Sequence, residues 1–323
     1  MRFAYLGNHE PAHSTENEVR AAAEAEGHTV TAIQEGTPAG DVPGLAAGAD
    51  VFLWTQTQSL AERAGTVDDR ARMLATIGAD MPTVACHLDR WWGLARQPLI
   101  FTEPFFRCAL VFTADGHHTR QWEQVGVNHV WWPPATGHRN LQPAHPDEGR
   151  FGAGVAFVGS WTGGYHPEWS HRPELVSHLR HVWDARMFPD RGRPAVRGDD
   201  LRTLYATVKV SVGDSCLVPG VDGQPMTRYI SDRIPETLGR GGLLIHPHVD
   251  GVTDGTLYTD GEHLACWKLG DWDQLDGLIG HYLDHPDEAR QVATEGRRHV
   301  AAHHTYRNRV RSITAQLRAR GWV

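Results

Sequence analysis

Four charged residues stand close together within residues 226–252, MTRYISDRIPETLGRGGLLIHPHVDGV: Arg228, Asp232, Arg233 and Glu236. A guanidinium offers a planar fork of N–H donors that matches a phosphate, and a carboxylate can accept hydrogen bonds from both hydroxyls of a ribose. Such a set suits a nucleotide diphosphate. The alternative is a solvated helix with salt bridges between successive turns, which the pattern alone favours.

The elements around these residues place them near the edge of a sheet. Apolar residues recur every four positions from Ile230 to Leu238, which predicts a short helix over residues 229–238 with several of the charged side chains near one face. A glycine-rich turn that starts at Gly239 ends this helix. Residues 243–245 are an apolar run typical of a buried parallel strand.

The segment resembles the nucleotide-sugar signature of GT-B glycosyltransferases, in the branch related to the CgeB-like spore maturation proteins. In that signature an R-x-x-E pair precedes a turn of small residues and a hydrophobic strand, and here Arg233 and Glu236 hold those places. The resemblance implies that Glu236 binds the donor ribose and that Arg233 lies near the diphosphate. Arg228 stands where the larger group often has a second Glu that contacts the sugar, so the resemblance does not indicate which residues contact the sugar here.

The first part of the chain alternates apolar strand candidates with helical stretches. This alternation predicts a doubly wound, Rossmann-like α/β domain with a parallel sheet over residues 1–135. Ligands of such sheets bind at the carboxyl ends of the strands, where three groups of polar residues are found. They are His9 with Ser14 and Glu16, the stretch 87–92 (HLDRWW), and Asp115 with His117 and His118.

The HLDRWW stretch contains the candidate catalytic residues. His87 and Asp89 follow a predicted buried strand directly, and either could act as a general base or orient a sugar hydroxyl. Trp91 and Trp92, expected to be exposed, could stack on a sugar or a base. The stretch is similar to a motif in the acceptor domain of GT-B enzymes, which implies acceptor-side roles for its residues. His9, Ser14 and Asp115 stand at the other strand ends of this domain and are predicted to lie on the acceptor side as well. The alternative is that Asp89 only pairs with Arg90.

The second part of the chain is predicted to bind the donor. Residues 136–152 are rich in Pro, Gly, His and Asn and are predicted to be a linker to a nucleotide-sugar-binding domain over residues 153–304. Gly159 and Ser160 follow its first strand. Arg172 opens the next helix, where it could reach a phosphate or lie on the surface.

Two further segments complete the chain. The loop over residues 216–224 is long enough to shape a sugar pocket. Residues 305–323 form a predicted helix with an apolar stripe, and GT-B enzymes send such a helix back to brace the first domain. The seven arginines between 297 and 320 are expected to be a solvated face, with a phosphate-tracking surface for a nucleic acid as the alternative.

Composition narrows the function classes. The net charge of −8 gives no overall attraction to nucleic acid or to anionic membranes, and the four cysteines show no C-x-x-C pair. We expect a reduced, cytoplasmic protein without a membrane span. The adjacent histidine pairs lack the spacing of a helical zinc site, so we predict no metal site.

Together these features predict two Rossmann-like domains that face each other across a cleft, as in the GT-B fold. The predicted activity is transfer of a sugar from a nucleotide diphosphate sugar to a hydroxyl, without a metal or other cofactor, with uridine diphosphate slightly favoured and retention implied by the resemblance. The acceptor would be a metabolite, a glycan or a modified DNA base. The alternatives are a nucleotide-sugar epimerase or hydrolase, and a binding protein without catalytic activity.

Overall fold

A computed structural model of the chain describes residues 1–56, 64–161, 171–215 and 226–323. These residues divide into two compact units. The first unit comprises Met1–Pro133 and Tyr306–Val323, and the second comprises Pro134–Thr305. The predicted pocket-shaping loop over residues 216–224 lies outside the described residues.

The first unit is built on a parallel sheet. Its strands are β1 (Arg2–Gly7), β2 (Thr29–Gln34), β3 (Val51–Thr55), β4 (Thr83–His87), β5 (Leu110–Thr113) and β6 (His129–Trp131). Its helices up to residue 133 include α1 (Thr15–Ala25), α2 (Val42–Ala46), α3 (Val67–Asp80), α4 (Leu99–Thr102), α5 (Thr119–Gln124) and a 3₁₀ turn at Pro104–Arg107. The strand order is β2-β1-β3-β4-β5-β6, and β3, β4 and β5 are apolar because helices cover both of their faces.

The second unit repeats this architecture. Its strands are β7 (Val155–Val158), β8 (Arg186–Phe188), β9 (Val210–Val212), β10 (Leu244–Pro247) and β11 (Ala265–Trp267). Its helices include α6 (Glu148–Phe151), α7 (Arg172–Trp183), α8 (Gly198–Thr207), α9 (Arg233–Gly239), α10 (Trp272–Asp284), α11 (Pro286–His303) and a 3₁₀ turn at His138–Leu141. The strands are parallel in the order β11-β10-β9-β7-β8, so the α/β fold class with two doubly wound sheets is confirmed.

The last helix, α12 (Tyr306–Ala319), belongs to the first unit, where it packs against α1. The apolar stripe predicted from the sequence is buried along this contact. Glu26 at the end of α1 binds two arginines of α12, with 2.6 Å from Oε1 to Arg307 Nε and 2.6 Å from Oε2 to Arg311 Nε. Two of the arginines at this end of the chain therefore hold the helix in place.

Helix α9 is shorter than the sequence predicts. It begins at Arg233 rather than at residue 229, so Arg228 lies outside it and Asp232 stands at its N-cap. Pro235 explains the late start, because proline lacks an N–H and is tolerated only in the first turn of a helix. Arg228 has a left-handed φ of 50° and lies just before the predicted first residue.

The stretch predicted as a linker lies inside the second unit. Residues 136–152 carry the 3₁₀ turn at His138–Leu141 and helix α6. The backbone N–H of Thr136 donates to the carbonyl of His304 at 3.0 Å, which ties the start of this stretch to the end of α11.

In the described residues, no helix combines the length and apolar character that would let it cross a membrane.

Shortening a buried side chain of α12 tests its contribution to the first unit. Ile313 is 1% exposed, so Ile313→Ala leaves a cavity and should lower the free energy of unfolding by about 2–5 kcal/mol. Urea unfolding followed by circular dichroism measures this. The matched control, Arg318→Ala on the exposed face, should change it by no more than about 0.5 kcal/mol. Equal effects of the two substitutions would contradict the packing of α12.

Candidate active site

Two strand ends of the second sheet lie side by side where the strand order reverses. β7 and β9 are hydrogen-bonded neighbours, while β8 lies on the other side of β7. Gly159 and Ser160 follow β7, and Gly213 and Asp214 follow β9. Open α/β sheets bind ligands at such a switch point, because both crossover helices leave a crevice there.

Arg233 contacts both of these strand ends. Its Nη2 lies 3.8 Å from the position that a Cβ would take on Gly159, and its Cγ lies 3.4 Å from the same position on Gly213. The lack of a side chain at both glycines lets the arginine lie along the strand ends. The first turn of α9 thus brings a guanidinium to the switch point.

The Arg233 guanidinium remains charged at this position. Burial alone would lower its pKa, but Tyr205, Asp232 and Glu236 outweigh burial and raise the pKa above its ordinary value. Within the described part of the chain, no carboxylate forms a salt bridge with Arg233. Its donors are therefore not consumed by a carboxylate there, which suits a group that binds an anionic ligand.

A cavity of about 210 Å³ opens beside Arg233. It extends from the end of β7 across the residues after β8 to the start of α8. Its lining includes Gly159, Ser160, Phe188, Val196, Leu201 and Arg233. The lining combines apolar side chains with the guanidinium groups of Arg197 and Arg233. This mixture suits a nucleotide, because the base and ribose bury carbon surface and the phosphates carry charge.

Glu236 lies one turn after Arg233 in α9. Its side chain is 19% exposed, and its Oε1 lies 3.6 Å from Arg240 Nη1, too far for a hydrogen bond. The same Nη1 donates instead to the Glu236 backbone carbonyl at 3.0 Å. The carboxylate therefore keeps acceptor capacity for hydroxyl groups.

Arg172 is tied to another residue of the site. Its Nε and Nη2 donate to the Asp214 carboxylate at 2.8 and 2.5 Å, and both side chains are at most 5% exposed. Burial alone would raise the pKa of Asp214, but the hydrogen bonds and charge of Arg172 outweigh it and lower the pKa. Phosphate binding by Arg172 stays a prediction, with its Nη1 3.4 Å from the Ser160 carbonyl.

His246 extends the buried polar group under the switch point. Its Nδ1 lies 2.7 Å from the Pro247 carbonyl and its Nε2 lies 2.8 Å from Ser215 Oγ. A carbonyl only accepts, so Nδ1 carries the proton and Nε2 accepts from the Ser215 hydroxyl. Burial lowers the pKa of His246 to about 4, so the ring is neutral at pH 7.

Asp214 and His246 were not among the residues predicted from the sequence. Asp214 follows β9 and His246 lies near the end of β10, and only that position, a polar residue near a strand end, could have indicated them.

Arg228 lies apart from α9 and is exposed. Its backbone N–H donates to the Asp250 carbonyl at 2.8 Å, and its side chain packs so closely on Gly251 that a Cβ there would approach its Cγ to 2.5 Å. Donor binding by Arg228 stays a prediction.

The first acceptor-side group lies at the end of β1 in the first unit. The His9 ring donates from Nε2 to the Tyr5 carbonyl at 3.0 Å, and Ser14 Oγ caps α1 by accepting from the Asn17 N–H at 3.1 Å. Glu16 is buried beside Gly7, and burial raises its pKa. His9 and Ser14 thus shape the loop after β1, and their roles toward an acceptor stay predictions.

The second group follows β4. Asp89 is exposed, and its backbone N–H donates to His87 Nδ1 at 3.0 Å, so the neutral ring carries its proton on Nε2. Burial lowers the pKa of His87. The expectation that Trp91 and Trp92 are exposed is wrong. They are 2% and 8% exposed because the aromatic side chains of Phe106 and Trp122 pack around them.

The third group follows β5, the strand that pairs with β4. Asp115 is fully buried and lies 3.0 and 3.1 Å from Nδ1 of His118 through its two oxygens. Trp92 stacks on the His118 ring with the planes 23° apart. The structure therefore brings the HLDRWW stretch and Asp115 together at one edge of the sheet, while His9 and Ser14 lie beyond β3.

Among the described residues, no three His, Cys, Asp or Glu side chains are grouped so that they could hold a metal ion.

The family comparison agrees with this geometry. Residues 141–315 match a family model described as "Glycosyl transferase-like", which spans the switch point, α9 and most of α12. No curated protein matches the chain.

Solved glycosyltransferases share the fold. An α-glucosyltransferase in complex with UDP superposes with a TM-score of 0.68 at 9% identity, over 97% of this chain and 100% of that one. Sucrose-phosphate synthase from Thermosynechococcus elongatus gives 0.62 at 12% identity, over 99% of each chain. Anabaena Alr3699/HepE in complex with UDP-glucose superposes with a TM-score of 0.62 at 13% identity, over 98% of this chain and 99% of that one. The GT-B fold predicted from the sequence is confirmed.

The buried state of His246 predicts a pH-dependent stability. The unfolded chain protonates this ring near pH 6.5, and the folded protein does so only near pH 4. The contribution of His246 to the free energy of unfolding is therefore complete above pH 6.5. It falls by about 3 kcal/mol as the pH drops from 6.5 to 4, because the unfolded chain takes up the proton that the folded protein does not. Urea unfolding at several pH values should show a weaker pH dependence for His246→Gln. The exposed control His145→Gln should keep the wild-type slope, and identical slopes for all three proteins would contradict a buried neutral His246.

Proposed function

Because the chain belongs to the glycosyl transferase-like family, we propose that it transfers a sugar from a nucleotide diphosphate sugar to a hydroxyl group of an acceptor. The observation that carries this proposal is the position of Arg233, a charged guanidinium at the β7–β9 switch point beside a cavity of about 210 Å³. Glycosyl transfer leaves a nucleoside diphosphate, so the enzyme must stabilise the charge that develops on the leaving phosphate.

Each donor group then has a proposed part in the reaction. Arg233 binds the diphosphate and stabilises it as the bond to the sugar breaks, with Gly159 and Ser160 forming the adjacent wall. Glu236, whose carboxylate keeps acceptor capacity, binds the ribose hydroxyls. Arg172 holds Asp214 and adds positive charge near the Ser160 carbonyl, and Arg228 is proposed to reach the donor from the exposed side.

The acceptor-side groups have proposed roles of a different kind. His87 donates its Nε2 proton in a hydrogen bond to a sugar hydroxyl, since Nδ1 already accepts the Asp89 backbone N–H. The exposed Asp89 carboxylate accepts a hydrogen bond from a second hydroxyl. Trp91 and Trp92 are buried and support these residues by packing, as His9 and Ser14 support the loop after β1.

A uridine donor is favoured, because solved relatives with the same fold bind UDP or UDP-glucose. A metabolite or glycan acceptor is favoured over DNA, since the net charge of −8 repels a polyanion, although an α-glucosyltransferase of this fold was solved with DNA. The cytoplasmic location and the CgeB-like relationship stay predictions from the sequence.

Substitutions at α9 test the donor site. Glu236→Ala and Arg233→Gln should each weaken UDP binding by about 10- to 100-fold, because each removes hydrogen bonds that involve a charged group. Isothermal titration calorimetry with UDP and UDP-glucose measures this. The control is Arg191→Gln, which alters an exposed arginine of the same unit. Wild-type affinity in both α9 variants would overturn the proposed site, and so would the absence of binding of any nucleoside diphosphate by the wild type.

We further propose that catalysis requires no metal ion, since Arg233 occupies the place where a cation would neutralise the diphosphate, and that the anomeric configuration is retained. UDP release from UDP-glucose should proceed at the same rate with and without EDTA. The coupling constant of the anomeric proton in the NMR spectrum of the product should show an α linkage, as in the UDP-glucose donor. Loss of activity with EDTA that Mg²⁺ or Mn²⁺ restores would contradict the first part, and a β-linked product would contradict the second.

A further inference from the structure

The second unit contains a cluster of histidines where α11 meets the loop between β10 and β11. His263 belongs to this loop, His299 lies in α11, and His304 directly follows the helix. The rings of His263 and His299 stack with their centroids 3.9 Å apart, and Nε2 of His299 lies 3.2 Å from Nε2 of His304. These three residues, the histidine cluster, bring three titratable rings together.

Hydrogen bonds to the backbone fix the proton positions in two of the rings. The Thr259 N–H donates to His263 Nδ1 at 2.9 Å, so the neutral ring carries its proton on Nε2. His299 Nε2 lies 2.7 Å from the Leu257 carbonyl, which only accepts, so this nitrogen carries a proton. The first bond closes the turn between Thr259 and His263, and the second fastens the loop to α11.

Protonation is incompatible with this arrangement. A charged His263 carries a proton on each nitrogen, so Nδ1 could no longer accept the Thr259 N–H, and two donors would oppose each other. A charge on His299 would lie against the stacked His263 ring, where a second charge is repelled. The first proton is therefore unfavourable. Once it opens the turn, the remaining rings are free to take up protons as well.

The groups around the cluster do not reverse this preference. The other titratable and charged side chains that face it are Tyr258, Glu262, Glu295, Arg298 and His303. The Glu262 carboxylate lies 3.6 Å from His263 Nε2 but is exposed. Burial, followed by the neighbouring His299, lowers the pKa of His263, and burial also lowers the pKa of His299. Both rings are therefore neutral at pH 7 and charge only below the ordinary histidine pKa of about 6.5.

Helix α11 connects the cluster to the donor site because it packs against α9. Gly296 of α11 lies where both neighbours meet: a Cβ there would overlap the His263 carbonyl oxygen and would lie 3.3 Å from Leu238 Cδ2. One turn later, Val300 Cγ1 lies 3.3 Å from the position of a Cβ on Gly239, the last residue of α9. The loop therefore packs on α11, and α11 packs on the helix that carries the proposed donor residues.

We propose that the histidine cluster is an acid-sensitive latch for donor binding. In the neutral state it fastens the loop to α11 and so supports α9. At about pH 5.5 the rings take up protons together, the loop separates from α11, and the donor site loses affinity. This inference rests on the proposed donor site of α9. Donor binding in turn favours the neutral cluster, because the coupling of two sites is reciprocal.

A double substitution that keeps the hydrogen bonds but removes the titrating rings tests the latch. In His263→Asn the side-chain oxygen replaces Nδ1 as acceptor, and in His299→Gln the side-chain amide replaces Nε2 as donor. Isothermal titration calorimetry should show that wild-type affinity for UDP-glucose falls by about 10-fold or more from about pH 7.5 to about pH 5.5. The double variant should lose less than about twofold. UDP-glucose is the probe because both of its phosphates stay ionised in this range.

NMR of the histidine-labelled wild type tests the latch without a ligand. Long-range ¹H–¹⁵N spectra at about pH 7.5 should show His263 protonated only on Nε2. The signals of His263 and His299, assigned by their loss in the single variants, should titrate together below about pH 6.5. This measurement decides even if the double variant does not fold.

The matched control is His145→Gln, which alters an exposed histidine of the same unit and should keep the wild-type loss of affinity in acid. Equal wild-type affinities at the two pH values would overturn the proposal, and so would an equal loss in the double variant. Separate titration of His263 and His299, or a proton on Nδ1 of neutral His263, would overturn it as well. Failure of the proposed function is distinct, because the wild type would then bind no UDP-glucose at either pH.

Discussion

The parallel direction of the strands is the constraint on which this structure depends. Every pairing in both sheets is parallel, so the strands of each sheet end at one edge, and residues distant in the sequence become neighbours there. In the second unit this edge brings Gly159 and Gly213 together around Arg233. In the first it places the HLDRWW stretch beside Asp115 and His118.

Charges at such an edge must be compensated, since burial without a partner is unfavourable. The second unit does this beneath the switch point. Arg172 and Asp214 neutralise each other, and His246 is neutral because burial lowers its pKa. Arg233 differs from Arg172 in having no carboxylate partner among the described residues, while nearby negative groups keep it charged. This difference leaves the Arg233 guanidinium with donors that no carboxylate of the described residues uses.

The sequence was informative where the signal is local. Apolar runs predicted the strands and the stripe on α12 predicted a packed helix. The donor role of Arg233 and Glu236, implied by the resemblance of their R-x-x-E spacing to a family signature, stays a prediction. The sequence failed where the outcome depends on packing or on a residue that the apolar period does not weigh. The start of α9 is limited by Pro235, and the burial of Trp91 and Trp92 follows from aromatic neighbours 15 or more residues away. Asp214 with Arg172 is a pair of residues 42 apart in sequence, which no spacing rule identifies.

The most direct test of the central claim is a crystal structure of the protein with UDP bound. We predict that diphosphate oxygens lie within hydrogen-bonding distance of the Arg233 guanidinium at the β7–β9 switch point, and that the ribose hydroxyls donate to Glu236. Arg172 should keep its contact with Asp214 in the complex. UDP bound elsewhere, or bound at this edge with Arg233 and Glu236 out of reach, would contradict the account.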